Sequence, residues 1–147
     1  MSLKEKLAED LKSAMKEKDT VRKNTVQMIR AGVLQVEKDK QITLDDEGVL
    51  DVIAKQLKQR RDSLPDYQKS GREDLIGQLN AEIAVLMEYL PAQLSEEELR
   101  VIVAEAIKAT GAESLKDMGK IMGAVMPKTK GRADGKMINN IAKELLG

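Results

Sequence analysis

Cysteine and histidine are both absent from this 147-residue chain. Their absence removes disulfides, thiolate nucleophiles, imidazole bases, Cys/His zinc sites and the Ser-His pairing in one step. Lack of cysteine also fits a reducing compartment. Aromatic rings are nearly missing: Tyr67 and Tyr89 are the two tyrosines, and there is no Phe or Trp. A core must therefore come from Leu, Ile, Val, Ala and the eight Met. The same scarcity leaves no platform for stacking bases, which argues against a sequence reader of single-stranded RNA. No excess of charge exists either, since 25 Lys and Arg balance 25 Asp and Glu. A nucleic-acid site would have to arise from local segregation of charge. No run nears the ~20 apolar residues of a membrane span. The opening "MSLKEKLAEDLKSAM" is charged at nearly every turn and has no apolar signal region. These features lead to the expectation of a cytoplasmic protein with no membrane attachment.

What is present is 41 % hydrophobic and 34 % charged, the balance of an ordinary folded chain, with room for one compact domain or two small ones. Helix-start signals recur. Ser or Thr followed three residues later by an acid forms a capping box, which satisfies the orphan N–H groups of a first turn. Ser2/Glu5, Thr43/Asp46, Ser70/Glu73, Ser95/Glu98 and Ser114/Asp117 all have this spacing, and Thr20 and Asp134 add simple N-caps. The apolar stripes agree with these starts. The first is Leu3, Leu7, Leu11 and Met15. A second helix at about 20–40 carries Val21, Met28, Ile29, Val33 and Val36. A third, at about 44–64, carries Leu50, Ile53, Leu57 and Leu64. A fourth, at about 71–89, carries Leu75, Leu79, Ile83, Leu86 and Leu90. Pro65 is expected to end or kink the third helix. No segment alternates with period two, so no strand is expected. The fold class is all-α.

"EYLPAQLSEEEL" marks the boundary, because Pro91 cannot extend a helix and Ser95 can start one. Residues 1–91 are expected to form an N-terminal antiparallel domain of about four helices, and residues 92–147 a C-terminal three-helix tail domain. In the tail, the fifth helix would bury Leu99, Ile102, Val103, Ala106 and Ile107, with Gly111 as its left-handed cap. The sixth would bury Met118, Ile121, Met122, Val125 and Met126 until Pro127 stops it. The seventh would bury Met137, Ile138, Ile141 and Leu145.

The tail also concentrates glycine and positive charge, in "DMGKIMGAVMPKTKGRADGKMINN". At about 100° per residue, Gly119 and Gly123 share one shoulder of the sixth helix, with Lys116 and Lys120 just beyond. Two interior glycines, each costing about 0.5–1 kcal/mol against Ala, call for a reason. Either a neighbouring helix packs closely on them, or they give a phosphate chain a bare backbone flanked by lysines. The loop that follows adds Lys128, Lys130, Gly131, Arg132 and Lys136. Residues 116–147 hold seven basic and three acidic side chains, whereas residues 94–115 hold two and five. The tail is thus polarised within a neutral protein. Its basic loop leads into the N-terminus of the last helix, where anions are favoured. A second basic strip, Lys55, Lys58 and Arg61, lies on the third helix and would extend the surface, though the acids interleaved nearby favour ordinary helix solvation.

The long stretch "DMGKIMGAVMPKTKGRADGKMINNIAKELL" resembles the C-terminal tail of the B subunit of the tRNA-dependent Asp/Glu amidotransferase, through Gly123, Thr129, Lys130, Gly131, Ala133 and Asn139. "LKQRRDSLPDYQKSGREDL" and "EYLPAQLSEEEL" are similar to the free-standing bacterial GatB/YqeY-like proteins, and the likeness covers essentially the whole chain. The resemblance implies a helical N-terminal domain and a three-helix tail, and it associates that tail with holding tRNA. It also carries the family label of a carbon–nitrogen ligase with glutamine as amido donor. The phosphorylation and amide-transfer parts of that enzyme are absent here.

No catalytic constellation emerges. The carboxylates of "LDDEG" and "SEEEL" fall where helix starts need acids. "GKIMGAVMPK" lacks the G-K-[ST] ending of a phosphate-binding loop. The expectation is a chain with no catalytic residues, metal or cofactor, acting as an RNA-binding accessory module for tRNA or another structured RNA. The alternative is an adaptor that docks a subunit of a tRNA-modifying or translation-related assembly.

Overall fold

The computed structural model describes all residues, Met1–Gly147, and is all-helical, with seven α-helices and no strand. These are α1 (Leu3–Glu17), α2 (Thr20–Lys40), α3 (Asp46–Ser70), α4 (Glu73–Tyr89), α5 (Glu96–Thr110), α6 (Met118–Thr129) and α7 (Gly135–Leu146), with a 3₁₀ turn at Leu115–Asp117 before α6. The chain divides into two compact units, Met1–Leu90 and Pro91–Gly147. No helix is long and apolar enough to cross a membrane.

The helix starts show which capping signals are used. Ser2 and Glu5 form the full box, the Ser2 hydroxyl accepting from Glu5 N–H at 3.1 Å and the Glu5 carboxylate from Ser2 N–H at 3.3 Å. Ser95 accepts from Glu98 N–H at 3.1 Å, and Asp134 from Lys136 N–H at 3.0 Å. Elsewhere an aspartate displaces the expected threonine: Asp19 caps α2 in place of Thr20, and Asp45 caps α3 in place of Thr43. A carboxylate accepts as a hydroxyl does and adds a charge that complements the positive helix end. Asp46, released from the expected box, accepts from Leu3 N–H at 2.9 Å and ties the start of α1 to that of α3. Ser70 caps nothing. It is the last residue of α3 and donates to the Tyr67 carbonyl at 3.1 Å, while α4 starts with Glu73 and Asp74 in an otherwise uncapped first turn. Ser114 caps the 3₁₀ turn through Lys116 N–H at 3.3 Å.

Neither helical proline ends its helix. Pro65 lies inside α3, which runs on to Ser70, and Pro127 lies inside α6, which runs on to Thr129. Pro65 is on the exposed side, where its missing N–H leaves the Arg61 carbonyl within reach of water. As a whole, α3 packs most extensively against α4. It ends at Gly71, whose φ of +69° turns the chain into α4.

Each unit has its own core. In the first, Leu7, Val26, Ile29, Val49, Ile53 and Leu86 are almost or fully sealed from solvent. In the second, Leu99, Val103, Ile121, Val125, Ile138 and Ile141 play that part. Five expected core residues are exposed instead: Met15, Met28, Met126, Met137 and Leu145. Each of the four methionines adjoins a buried neighbour, respectively Ala14, Ile29, Val125 and Ile138. The compact or branched residue takes the core position and the flexible one rides on the shoulder.

Candidate nucleic-acid interface

On α6, Ile121 and Val125 are fully buried, and with Thr129 they fix the inward face. Gly119, Gly123 and the lysines Lys116 and Lys120 are exposed. A side chain added at Gly119 or Gly123 would meet no atom within 4 Å. No helix of this unit packs on the glycine edge, so the close-packing explanation has no partner here. Pro127 adds a second feature. Lacking an N–H, it leaves the carbonyl of Gly123, four residues earlier, without its helical donor. The outward face of α6 is thus bare backbone with a freed acceptor, with Lys120 on the same helix and Lys116 in the 3₁₀ turn before it. Lys120 is held loosely toward Asp117 at 3.9 Å. The Asp117 carboxyl is held below its usual range, chiefly by accepting from Glu113 N–H at 3.0 Å, with the Ser114 backbone and Lys120 adding to this.

The remaining predicted cations do not all join this face. Lys128 is exposed, but it follows Gly119 by nine residues and Gly123 by five, which turns it roughly 140–180° away round the helix. Lys130, the first residue after α6, and Lys136, in the first turn of α7, are exposed. Arg132 is half-buried and donates through Nε to the Ala92 carbonyl at 3.2 Å, so part of its donor fork serves the fold. Gly131, at φ +71°, makes the left-handed turn that no branched residue would accept. The start of α7 is not an open anion site. Asp134 already occupies it with its own carboxylate, and that negative charge answers the helix dipole.

The strip on α3 belongs to the other unit. Lys55 and Lys58 are exposed, Lys58 pairs with Asp62 at 3.4 Å, and Arg61 has its guanidinium 3.7 Å from the Met87 sulfur. Between them the sequence reading passed over Arg60. It is 7 % exposed and bonds Glu82 of α4 at 2.9 Å and the Gln56 carbonyl at 3.2 Å. The signal was available: Arg60 lies three residues after Leu57 and seven after Ile53, on the buried stripe of α3.

A family model described as "Yqey-like protein" matches residues 4–146. The chain is 30 % identical over 146 residues to "Altered inheritance of mitochondria protein 41, mitochondrial" of Pyrenophora tritici-repentis, an alignment covering 97 % of this chain and 80 % of that protein. Proteins of the same name match from Kluyveromyces lactis, at 40 % identity over 62 % of this chain and 51 % of that one, and from Eremothecium gossypii, at 32 % over 83 % and 64 %. For the latter two relatives the chain therefore spans about half to two thirds of their length. These names overturn the expectation of a cytoplasmic protein, since the relatives are mitochondrial. They are also fungal, where the sequence resemblance pointed to bacterial proteins. A balanced charge and a lack of cysteine suit several reducing compartments and do not choose among them. The relatives' names are not those of enzymes.

Proposed function

The chain belongs to the YqeY-like family, and we propose that it serves as a non-catalytic RNA-binding module, with tRNA the favoured ligand and α6 as the contact surface. The observation that carries this reading is the open glycine edge. Gly119 and Gly123 cost helix stability, have nothing packed against them, and stand beside Lys116 and Lys120. A sugar-phosphate chain can approach such a backbone closely while the lysines neutralise phosphates. The Gly123 carbonyl offers an acceptor for a ribose hydroxyl, the group that distinguishes RNA from DNA. Lys130 and Lys136 extend the cationic surface. Selectivity would come from RNA shape, because phosphate contacts carry no sequence code. Any link to amide-transfer chemistry would run through a separate enzyme.

A gel shift with tRNA across a salt series tests this. With Lys116, Lys120, Lys130 and Lys136 in contact, log K should fall with log salt at a slope of roughly 3 to 4, by analogy with duplex DNA. Replacing Lys116 and Lys120 together with Ala should lower the slope by about 2. Salt-insensitive binding, or a double variant that binds like the parent, would overturn the reading. One observation favours an adaptor instead. Near the glycine edge Met126 is 46 % exposed and Leu115 56 % exposed, and a partner's helix could use the same bare backbone. Salt-insensitive capture of a protein, with no RNA binding, would select that alternative.

A further inference from the structure

Residues 92–94, just before α5, run beside the cation loop and are joined to it three times. Leu94 N–H donates to the Arg132 carbonyl at 2.8 Å. The Gln93 side-chain amide donates to the Gly131 carbonyl at 2.9 Å. Arg132 Nε donates back to the Ala92 carbonyl at 3.2 Å. The loop is also anchored from its other side. Arg132 N–H donates to the Thr129 carbonyl at 2.8 Å, and the buried Thr129 hydroxyl donates to the Val125 carbonyl at 3.1 Å. Lys130 and Arg132 lie in this stretch, and Lys128 is in the last turn of the helix before it. Gly131 supplies the turn but no side-chain contact, so something else must hold the loop's shape.

We infer that the strap Ala92–Leu94 is a latch for the cation loop, and that Gln93 and Arg132 are positioning residues rather than ligand contacts. What the loop meets rests on the RNA reading above; the latch itself does not. Two consequences follow. Loosening the latch weakens ligand binding without removing a cation. By reciprocity, a ligand that favours the latched loop protects it from opening.

The test uses the full chain, with Gln93→Ala and Arg132→Lys. The first deletes the amide that holds Gly131. The second keeps the positive charge but loses the planar fork that reaches Ala92. The first readout is trypsin nicking at the Lys130–Gly131 and 132–133 bonds, with helix content followed by circular dichroism. Loss of one such bond should raise nicking about five- to tenfold at unchanged helix content. The second readout is tRNA affinity over a salt series, where both variants should bind several-fold more weakly at the parental slope. Parental nicking rates in both variants would overturn the latch. Binding by Arg132→Lys at parental affinity, with Gln93→Ala also at parental affinity, would overturn the positioning role. If the parent binds no RNA while the variants are nicked faster, the RNA reading fails and the latch stands.

Discussion

Arg60 and Arg61 are neighbours with opposite surroundings. The guanidinium of Arg60 is enclosed by Glu82, the Gln56 carbonyl and the Met28 sulfur, whereas Arg61 lies at a surface beside Met87. A buried ion pair adds little over a well-packed apolar pair, but removing one partner strands a charge. Glu82→Ala is therefore expected to destabilise by about 3–5 kcal/mol, against about 0.5 kcal/mol or less for Lys58→Ala, as read from urea unfolding. Equal effects would show that Arg60 reaches water. Tyr89 supplies a pH marker in the same unit. Its hydroxyl donates to Asp10, and Lys6 sits 5.4 Å from its ring centre. Burial first, and Asp10 second, push the phenol above its ordinary value. Because the folded value is the higher one, the folded state holds this proton more tightly. Its contribution is intact below about pH 10, the unfolded phenol value, and declines as pH rises beyond it. Tyr89→Phe should flatten that alkaline decline in unfolding free energy; an unchanged slope would assign it to other groups. Neither the Arg60–Glu82 pair nor the Tyr89–Asp10 pair was read from the sequence. Partners 22 and 79 residues apart leave no local signature, though the stripe position of Arg60 was a legible half of the answer.

At the scale of the helix, the sequence is legible where a signal is local and has one competitor, and less so where two residues contest one role. Ser2, Ser95 and Asp134 cap as their spacing implies. Thr20 and Thr43 lose to a nearby aspartate, and the hydroxyl rule alone does not rank the two. The prolines show a second limit. Local chemistry says that Pro65 interrupts α3, yet the helix continues past it to Ser70. The glycine edge of α6 was ambiguous for a related reason. Periodicity placed Gly119 and Gly123 on a shoulder but could not say whether another helix lay there, and the structure leaves that space open. The energetic consequence is specific. Gly123→Ala adds a methyl group that meets nothing, in the interior of a helix, and should stabilise the tail unit by about 0.5–1 kcal/mol. Under the proposed function the same change should weaken tRNA binding, so stability and binding move in opposite directions. A loss of stability would mean that Gly123 is packed in solution.

For the molecule as a whole, the legible part was the all-helical fold, because helix stripes and starts are properties of short windows. The distribution of its polar ties needed coordinates. In the first unit, Lys4 pairs with Glu37, which also accepts from Leu44 N–H at 2.7 Å, and Arg22 bonds Glu88 at 3.1 Å. Lys4 holds the Glu37 carboxyl below its usual range, with the Leu44 N–H second, and Arg22 does the same for Glu88. Both carboxylates therefore stabilise the fold above their unfolded values, and that contribution fades as pH falls through the lower folded values. The second unit spans Pro91–Gly147, is the shorter of the two, and has the smaller cluster of buried apolar residues. A core of that size is marginal, since burial rises with chain length. We predict that urea unfolds the chain in two steps, the tail unit first. Marker substitutions assign the steps: Gly123→Ala should raise only the lower midpoint, and Glu82→Ala should lower only the upper one. The alkaline decline tied to Tyr89 should then appear in the upper step alone. A single transition that shifts with both substitutions would show instead that the two units unfold as one cooperative body.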